Sequence, residues 1–189
     1  MPHLVAIAGS LRQGSYNASL VRAAAEVLPE GWELTVLSLR GIPLYDGDVE
    51  AREGLPEAVK TAKEQVAGAD AVLLATPEYN NSLPGVFKNA IDWMSRPSAD
   101  MRRVFGDRPL ALVGATPGPG GTILAQAAWL PVLRTLGVRL FTGGRLQISS
   151  AGKVFDGEGR LVDDATRDRL RSFMAGFCAF AAHGAGPRP

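Results

Sequence analysis

The sequence is poor in the residues from which many active sites are made. Its 189 residues include one cysteine, Cys178, and two histidines, His3 and His183. A lone cysteine excludes an internal disulfide and a cysteine-built metal site. The histidines stand near opposite ends of the chain and fit neither a hydrolase triad nor a metal cluster. Charge of one sign is missing too: 20 basic and 19 acidic residues leave a net charge of +1. That gives no support for nucleic acid or an anionic membrane as the main partner. No apolar run approaches the roughly 18 residues that a membrane-spanning helix needs. The first residues enter a strand pattern without a basic leader, so a cytoplasmic protein is expected.

What is present describes an ordinary globular chain. Apolar residues make up 46% and charged residues 21%, enough for a sizeable core. The length predicts one domain over 1–189, with a Gly/Pro-rich tail at 183–189 that frays. Continuous apolar runs at His3–Ala8, Ala71–Ala75 and Leu110–Ala115 predict strands buried on both faces. Glu33–Leu39 and Val138–Phe141 supply two more. Helical spacing appears at Ala18–Leu28, Leu55–Gly68, Gly85–Met94, Thr122–Leu136 and Asp164–Ala182. Pro131 lies inside the fourth helix and predicts a kink or break there. Arg40–Gly54 and Arg96–Asp107 read as irregular, and Asp156–Gly159 as a turn.

Five strands alternating with five helices imply an α/β fold with a parallel sheet covered on both faces. Right-handed crossovers leave few topologies. The flavodoxin-like, doubly wound, five-stranded order 2-1-3-4-5 leads, with its ligand site beyond the C-terminal ends of strands one and three.

Three unusual loops follow strands one, three and four, so this topology brings them to one crevice. The first, Gly9–Asn17, joins a strand to a helix start. Unpaired backbone N–H groups and the helix dipole favour an anion there. Ser10, Ser15 and Asn17 can add donors, and Arg12 a fixed charge. A Walker A loop needs a lysine where Ser15 stands. A dinucleotide fingerprint needs G-x-G-x-x-G and an acidic residue near the end of strand two, where the chain reads Ser38-Leu39-Arg40. A cysteine phosphatase needs a thiolate in the cradle. The plain alternative is a helix cap by Ser15 or Asn17, which leaves Arg12 and Ser10 unexplained. The second loop, Pro77–Pro84, is rigid at both ends and offers the aromatic face of Tyr79 with the amides of Asn80 and Asn81, features suited to a planar heteroaromatic ring. In the third, Thr116 offers a hydroxyl and Gly118, Gly120 and Gly121 allow close backbone approach.

The first motif, Gly9-Ser10-Leu11-Arg12-Gln13-Gly14-Ser15-Tyr16-Asn17, is followed by Pro77-Glu78-Tyr79-Asn80 and by Pro84-Gly85-Val86-Phe87-Lys88-Asn89-Ala90-Ile91-Asp92-Trp93. Together they resemble the NADPH-dependent FMN reductase family, in particular bacterial quinone and chromate reductases. The resemblance implies that Ser10, Arg12, Ser15 and Asn17 hold the FMN phosphate. It implies that Pro77, Glu78, Tyr79 and Asn80 hold the flavin ring, and that Thr116 also touches FMN. Tyr16, Asn81 and Gly118, within or beside these motifs, complete the candidate set. NADPH or NADH is then the co-substrate, and a quinone, flavin or similar small molecule accepts electrons in ping-pong order. No catalytic acid or base is required; Tyr79 is a candidate assistant in protonation. The rival reading is an FMN-binding electron carrier or redox sensor without turnover.

The remaining singular residues have plainer readings. Cys178 falls on the apolar side of the last helix, as a small core hydrophobe. Trp93 and Trp129 are expected in the core or an interface. Asp92 and Arg96 read as a loop-orienting or subunit-bridging pair, or as a surface pair. Arg102 and Arg103 are candidates for a nucleotide 2′-phosphate. The fourth helix is apolar nearly all round, which predicts a homodimer or homotetramer.

Overall fold

The computed structural model describes residues 1–183. Its central sheet is parallel and runs in the order β2-β1-β3-β4-β5, with β1 at His3–Ala8, β2 at Glu33–Leu37, β3 at Ala71–Ala75, β4 at Pro109–Ala115 and β5 at Arg139–Leu140. This is the flavodoxin-like order expected from the sequence. The fifth position differs in one respect. Its strand is split: β5 pairs with Pro109 and Leu110, and β6, Leu146–Ile148, pairs farther along with Val113–Ala115. The stretch between them holds Gly143 and Gly144, which interrupt strand pairing.

Strands β1, β3 and β4 are apolar almost throughout because both their faces are covered, and alternate residues serve opposite cores. Leu4, Ala6, Leu73 and Val113 pack with α1 (Tyr16–Glu26) and α8 (Asp164–Ala182). Val5, Ile7, Leu74 and Leu112 pack with α3 (Glu57–Gly68), α4 (Gly85–Met94) and α6 (Ile123–Leu136). Each such fully buried Leu, Val or Ile contributes about 1.5–3 kcal/mol relative to exposure. The helix after β1 therefore covers one face and the helix after β3 the other, which opens a crevice between the two strands' C-terminal ends.

Short elements appear where no apolar period marks them. Helix α2, Gly47–Glu53, lies within the expected 40–54 loop. It buries no residue and is held at its start by Asp46, whose carboxylate accepts from the N–H groups of Asp48 and Val49. The 96–107 link contains a 3₁₀ turn at Ser98–Asp100 and helix α5 at Met101–Phe105. A four-residue helix, α7 at Ala151–Val154, precedes the expected turn, where Asp156 accepts from the N–H groups of Glu158 and Arg160. Helix α6 runs unbroken through Pro131. Pro131 and Ala127, whose carbonyl loses its helical partner, both lie on the exposed side, where water can serve that carbonyl. Of the expected tail, His183 closes α8, and 184–189 lie outside the described residues.

Several isolated residues settle into structural roles. Trp93 and Trp129 are fully buried, with indole N–H groups donating to the Pro43 carbonyl and the Thr76 hydroxyl. Cys178 is buried, and burial pushes its thiol up to about 11, as for an inert core thiol. Asp92 and Arg96 do not pair with each other: Asp92 binds Lys88 one helical turn back, and Arg96 binds Glu50 of α2. Arg103 is taken by Asp100 and Glu64, on the segment that leads into the opposite end of β4 from Thr116.

Candidate functional site

The first loop leaves β1 with its backbone pressed against its neighbours. A Cβ on Gly9 would lie 2.1 Å from Phe87 Cδ1 and 2.9 Å from Pro77 Cδ. Only glycine fits there. Ser15, buried, caps α1 by accepting from the Ala18 N–H at 3.3 Å. Residues 11–14 are exposed between Gly9 and this cap. The Arg12 guanidinium donates to the Gly14 carbonyl at 2.6 Å and stands over the Tyr16 ring at 5.7 Å. Ser10 accepts from the Arg12 N–H through its hydroxyl oxygen. Among the described residues no carboxylate lies within 4.0 Å of the Arg12 cation.

Asn17 is buried and turned away from this loop. Its Nδ2 donates to the Ala115 carbonyl and its Oδ1 accepts from the Ala115 N–H, both at 2.9 Å. It ties the first turn of α1 to the end of β4.

The second loop is a rigid tongue. Tyr79 and Ser82 exchange backbone hydrogen bonds at 3.1 and 3.0 Å, and Asn80 and Asn81 have φ of 50° and 61°. Two left-handed central residues are the type I′ hairpin turn, in which asparagine is among the best-tolerated residues. Pro77 is buried against Gly9, while Tyr79, Asn80 and Asn81 are exposed. The Tyr79 hydroxyl donates to Ser10 Oγ at 3.2 Å, so the first and second loops meet across the crevice. Glu78 points elsewhere: its Oε2 accepts from the N–H groups of Leu124 and Ala125 at 2.9 and 3.0 Å and caps α6.

The third loop begins at Thr116. Its backbone is pinned by Ala151, whose N–H donates to the Thr116 carbonyl, and the Ser150 N–H donates to Gly118. The Thr116 side chain is half-buried. The C-terminal ends of β1, β3 and β4 thus gather Ser10, Arg12, Ser15, Tyr16, Tyr79 and the Asn80–Asn81 turn on one rim. Asn17 and Glu78 act behind it as braces.

Two residues of this rim were not among the candidates. Thr76, fully buried, donates to the Pro77 carbonyl and receives the Trp129 indole N–H, which sets the exit angle of the second loop. Arg40, at the turn after β2, donates to the Leu11 carbonyl at 2.6 Å. Its signal in the sequence was a basic residue ending strand two, where a dinucleotide fold carries an acid.

A family model described as NADPH-dependent FMN reductase matches residues 2–153, which includes all three loops. The chain belongs to that family. An NAD(P)H-dependent FMN reductase of Pseudomonas aeruginosa is 44% identical over 168 residues, with 89% of each chain covered. A 2-hydroxy-1,4-benzoquinone reductase of a Burkholderia species is 36% identical over 177 residues, covering 94% of each. Among solved structures, the flavoenzyme FerB of Paracoccus denitrificans, an NAD(P)H:(acceptor) oxidoreductase, superimposes with a TM-score of 0.86 at 31% identity, over 97% of this chain and 98% of that one. The resemblance drawn from the loop motifs is borne out at the level of the family, and the sheet order agrees with it.

Proposed function

We propose that this chain is a one-domain, NAD(P)H-dependent FMN oxidoreductase that reduces quinones, flavins or similar small acceptors. The observation that carries the reading is the pairing of two unlike ends in one crevice. At one end Arg12, which has no acidic partner among the described residues, stands beside the start of α1. At the other, the Tyr79–Ser82 turn presents an exposed aromatic ring and two amides, and the Tyr79 hydroxyl reaches Ser10. A phosphate fits the first and a flat polar-edged ring the second.

FMN, when bound, supplies the redox chemistry, taking hydride from the nicotinamide and passing it to the acceptor. The protein's part is to hold and orient it. Arg12, Ser10 and the first N–H groups of α1 hold the phosphate. The left-handed backbone at Asn80 and Asn81 turns the tongue so that Pro77 stays buried while Tyr79 stays exposed. Thr116 and the backbone at Gly118 form the third side. An open rim lets the nicotinamide and the acceptor use the same face in turn.

The decisive experiment starts from purified protein carrying the flavin absorption band. Steady NAD(P)H consumption with a quinone supports the enzyme. Flavin reduction without turnover supports the rival carrier or sensor reading, and absence of flavin binding removes both. The net charge of +1 favours the enzyme, because the chain lacks the overall charge excess that would steer a carrier to an oppositely charged partner.

The working form is a homodimer or homotetramer in the cytoplasm. Ile123, Leu124 and Leu130 lie exposed along α6, and an open groove of about 340 Å³ lies between Ile91 of α4 and Val132 of α6. Apolar side chains of this size gathered on one helix face favour a subunit contact. Light scattering at micromolar protein tests this, and a stable 20.0 kDa monomer refutes it. Among the described residues no helix is long and apolar enough to cross a membrane.

A further inference from the structure

We propose that Arg40 is a second guanidinium of the phosphate cradle, held there by the turn that follows β2. The inference rests on reading Gly9–Asn17 as the FMN phosphate site. Strand β2 lies next to β1, so its C-terminal end opens beside the first loop. The chain there forms a tight turn. The Ile42 N–H donates to the Leu39 carbonyl at 3.5 Å, the Arg40 N–H to Ser38 Oγ at 3.2 Å, and Gly41 takes φ of 83°. A positive φ at that position suits glycine and fixes the direction in which the preceding residue projects. From this turn the Arg40 Nη2 reaches the Leu11 carbonyl, while the Arg12 Nη2 reaches the Gly14 carbonyl, each at 2.6 Å. The same exposed loop is therefore gripped by two guanidinium groups, one from within it and one from a neighbouring strand.

Among the described residues neither Arg12 nor Arg40 has a carboxylate within 4.0 Å, as is also true of Arg22, Arg102, Arg134, Arg139, Arg145 and Arg169; what sets Arg12 and Arg40 apart is that both guanidinium groups bind carbonyls of the first loop. A phosphate monoester carries about −1.5 to −2 near neutral pH. One arginine with a helix N-terminus worth about +0.5 supplies about +1.5, which matches only the lower end of that range; a second arginine raises the total to about +2.5 and covers the full dianion. A guanidinium has five N–H donors, and Arg40 uses one of them in its side-chain bond to Leu11. It can keep that bond and still face an anion. An acid at this position, as dinucleotide folds carry for ribose hydroxyls, would repel the phosphate.

Riboflavin is FMN without the phosphate, so the two flavins separate a phosphate contact from a loop brace. Dissociation constants for both are measured by fluorescence quenching on protein freed of flavin, for wild type, Arg40→Ala, Arg40→Lys and Arg12→Ala. Arg40→Ala is expected to weaken FMN about five- to tenfold and leave riboflavin unchanged, with Arg40→Lys intermediate. The FMN affinity of Arg40→Ala is expected to respond less steeply to added salt. Unchanged FMN affinity, or equal weakening of both flavins, overturns the proposal. So does an effect confined to the KM for NADPH. If wild type binds the two flavins alike and Arg12→Ala changes neither, the phosphate reading itself fails. If Arg12→Ala is selective for FMN and Arg40→Ala is silent, only the role of Arg40 is lost.

Discussion

The side chain of Asn17 completes the hydrogen bonding of Ala115, donating to its carbonyl and accepting from its N–H, each at 2.9 Å. The last β3–β4 pair is Ala75 with Val113, and β3 ends there, two residues before Pro77. Beyond that point Ala115 takes its partner from a side chain. A residue that motif logic assigns to the phosphate thus fastens the cradle's helix to the sheet. Asn17→Ala is expected to cost about 2–3 kcal/mol, because two buried backbone groups lose their partners. Asn17→Asp keeps the acceptor but sets an oxygen against the Ala115 carbonyl, so it should be no better. Urea unfolding of the flavin-free protein measures both. A loss of FMN affinity without a loss of stability would return Asn17 to the binding surface.

Gly9 packs against Pro77 at the start of the second loop and against Phe87 of α4. With 2.1 Å to Phe87 Cδ1 available to a Cβ, Gly9→Ala forces a shift of a buried ring and of Pro77. Overpacking of this kind costs about 1–3 kcal/mol, or roughly 2–12 °C in Tm for a chain of this size. The double variant Gly9→Ala with Phe87→Leu should recover part of the loss. A calorimetric double-mutant cycle with no coupling between the two positions would contradict this packing.

A buried lysine anchors the far side of the molecule. Lys63 is 2% exposed and binds the Asp100 carboxylate at 2.7 Å. Hydrogen bonds from Arg103 and then from Lys63 hold the Asp100 carboxyl well below the usual carboxylate range. The Arg103 hydrogen bond lowers Glu64 as well. A carboxyl depressed in the folded state adds stability above its unfolded value and loses it as pH falls toward the folded one. Stability should therefore be level above about pH 5 and fall below about pH 4. In Asp100→Asn that acid-side slope should be shallower. Chemical denaturation at a series of pH values reads the difference, and identical slopes would count against the network.

How much of this was legible beforehand follows from what carried each element. The five strand positions and five long helices came from apolar periodicity, and that signal works because both sheet faces must be covered. Helices α2 and α5 and the split at Gly143–Gly144 are too short to show an apolar period; the Asp46 cap starts α2, and burial of Val104 and Phe105 holds α5. At the site, the loop motifs fall at the C-terminal ends of β1, β3 and β4, so the sheet order alone brings them to one rim. The motifs did not reveal that Asn17 and Glu78 face inward to other elements. A side chain's direction depends on which backbone groups lack partners, and that is set by the ends of strands distant in sequence.

Glu78 gives the sharpest test of that distinction. Its Oε2 takes the two free N–H groups at the start of α6, Leu124 and Ala125. A carboxylate at a helix N-terminus gains from the dipole, about 0.3–1 kcal/mol, and removing it orphans two donors. Glu78→Ala should loosen the second loop, proposed to hold the flavin ring, which reaches the proposed phosphate cradle only through the Tyr79–Ser10 hydrogen bond. FMN and riboflavin should then weaken by the same factor, unlike the FMN-selective loss expected for Arg12→Ala. Glu78→Gln retains an amide oxygen able to accept from the same N–H groups, so most affinity should survive. If Glu78 instead acted as a charged group on the ring, Gln would be as damaging as Ala. Fluorescence titration of both variants with both flavins distinguishes a cap from a contact.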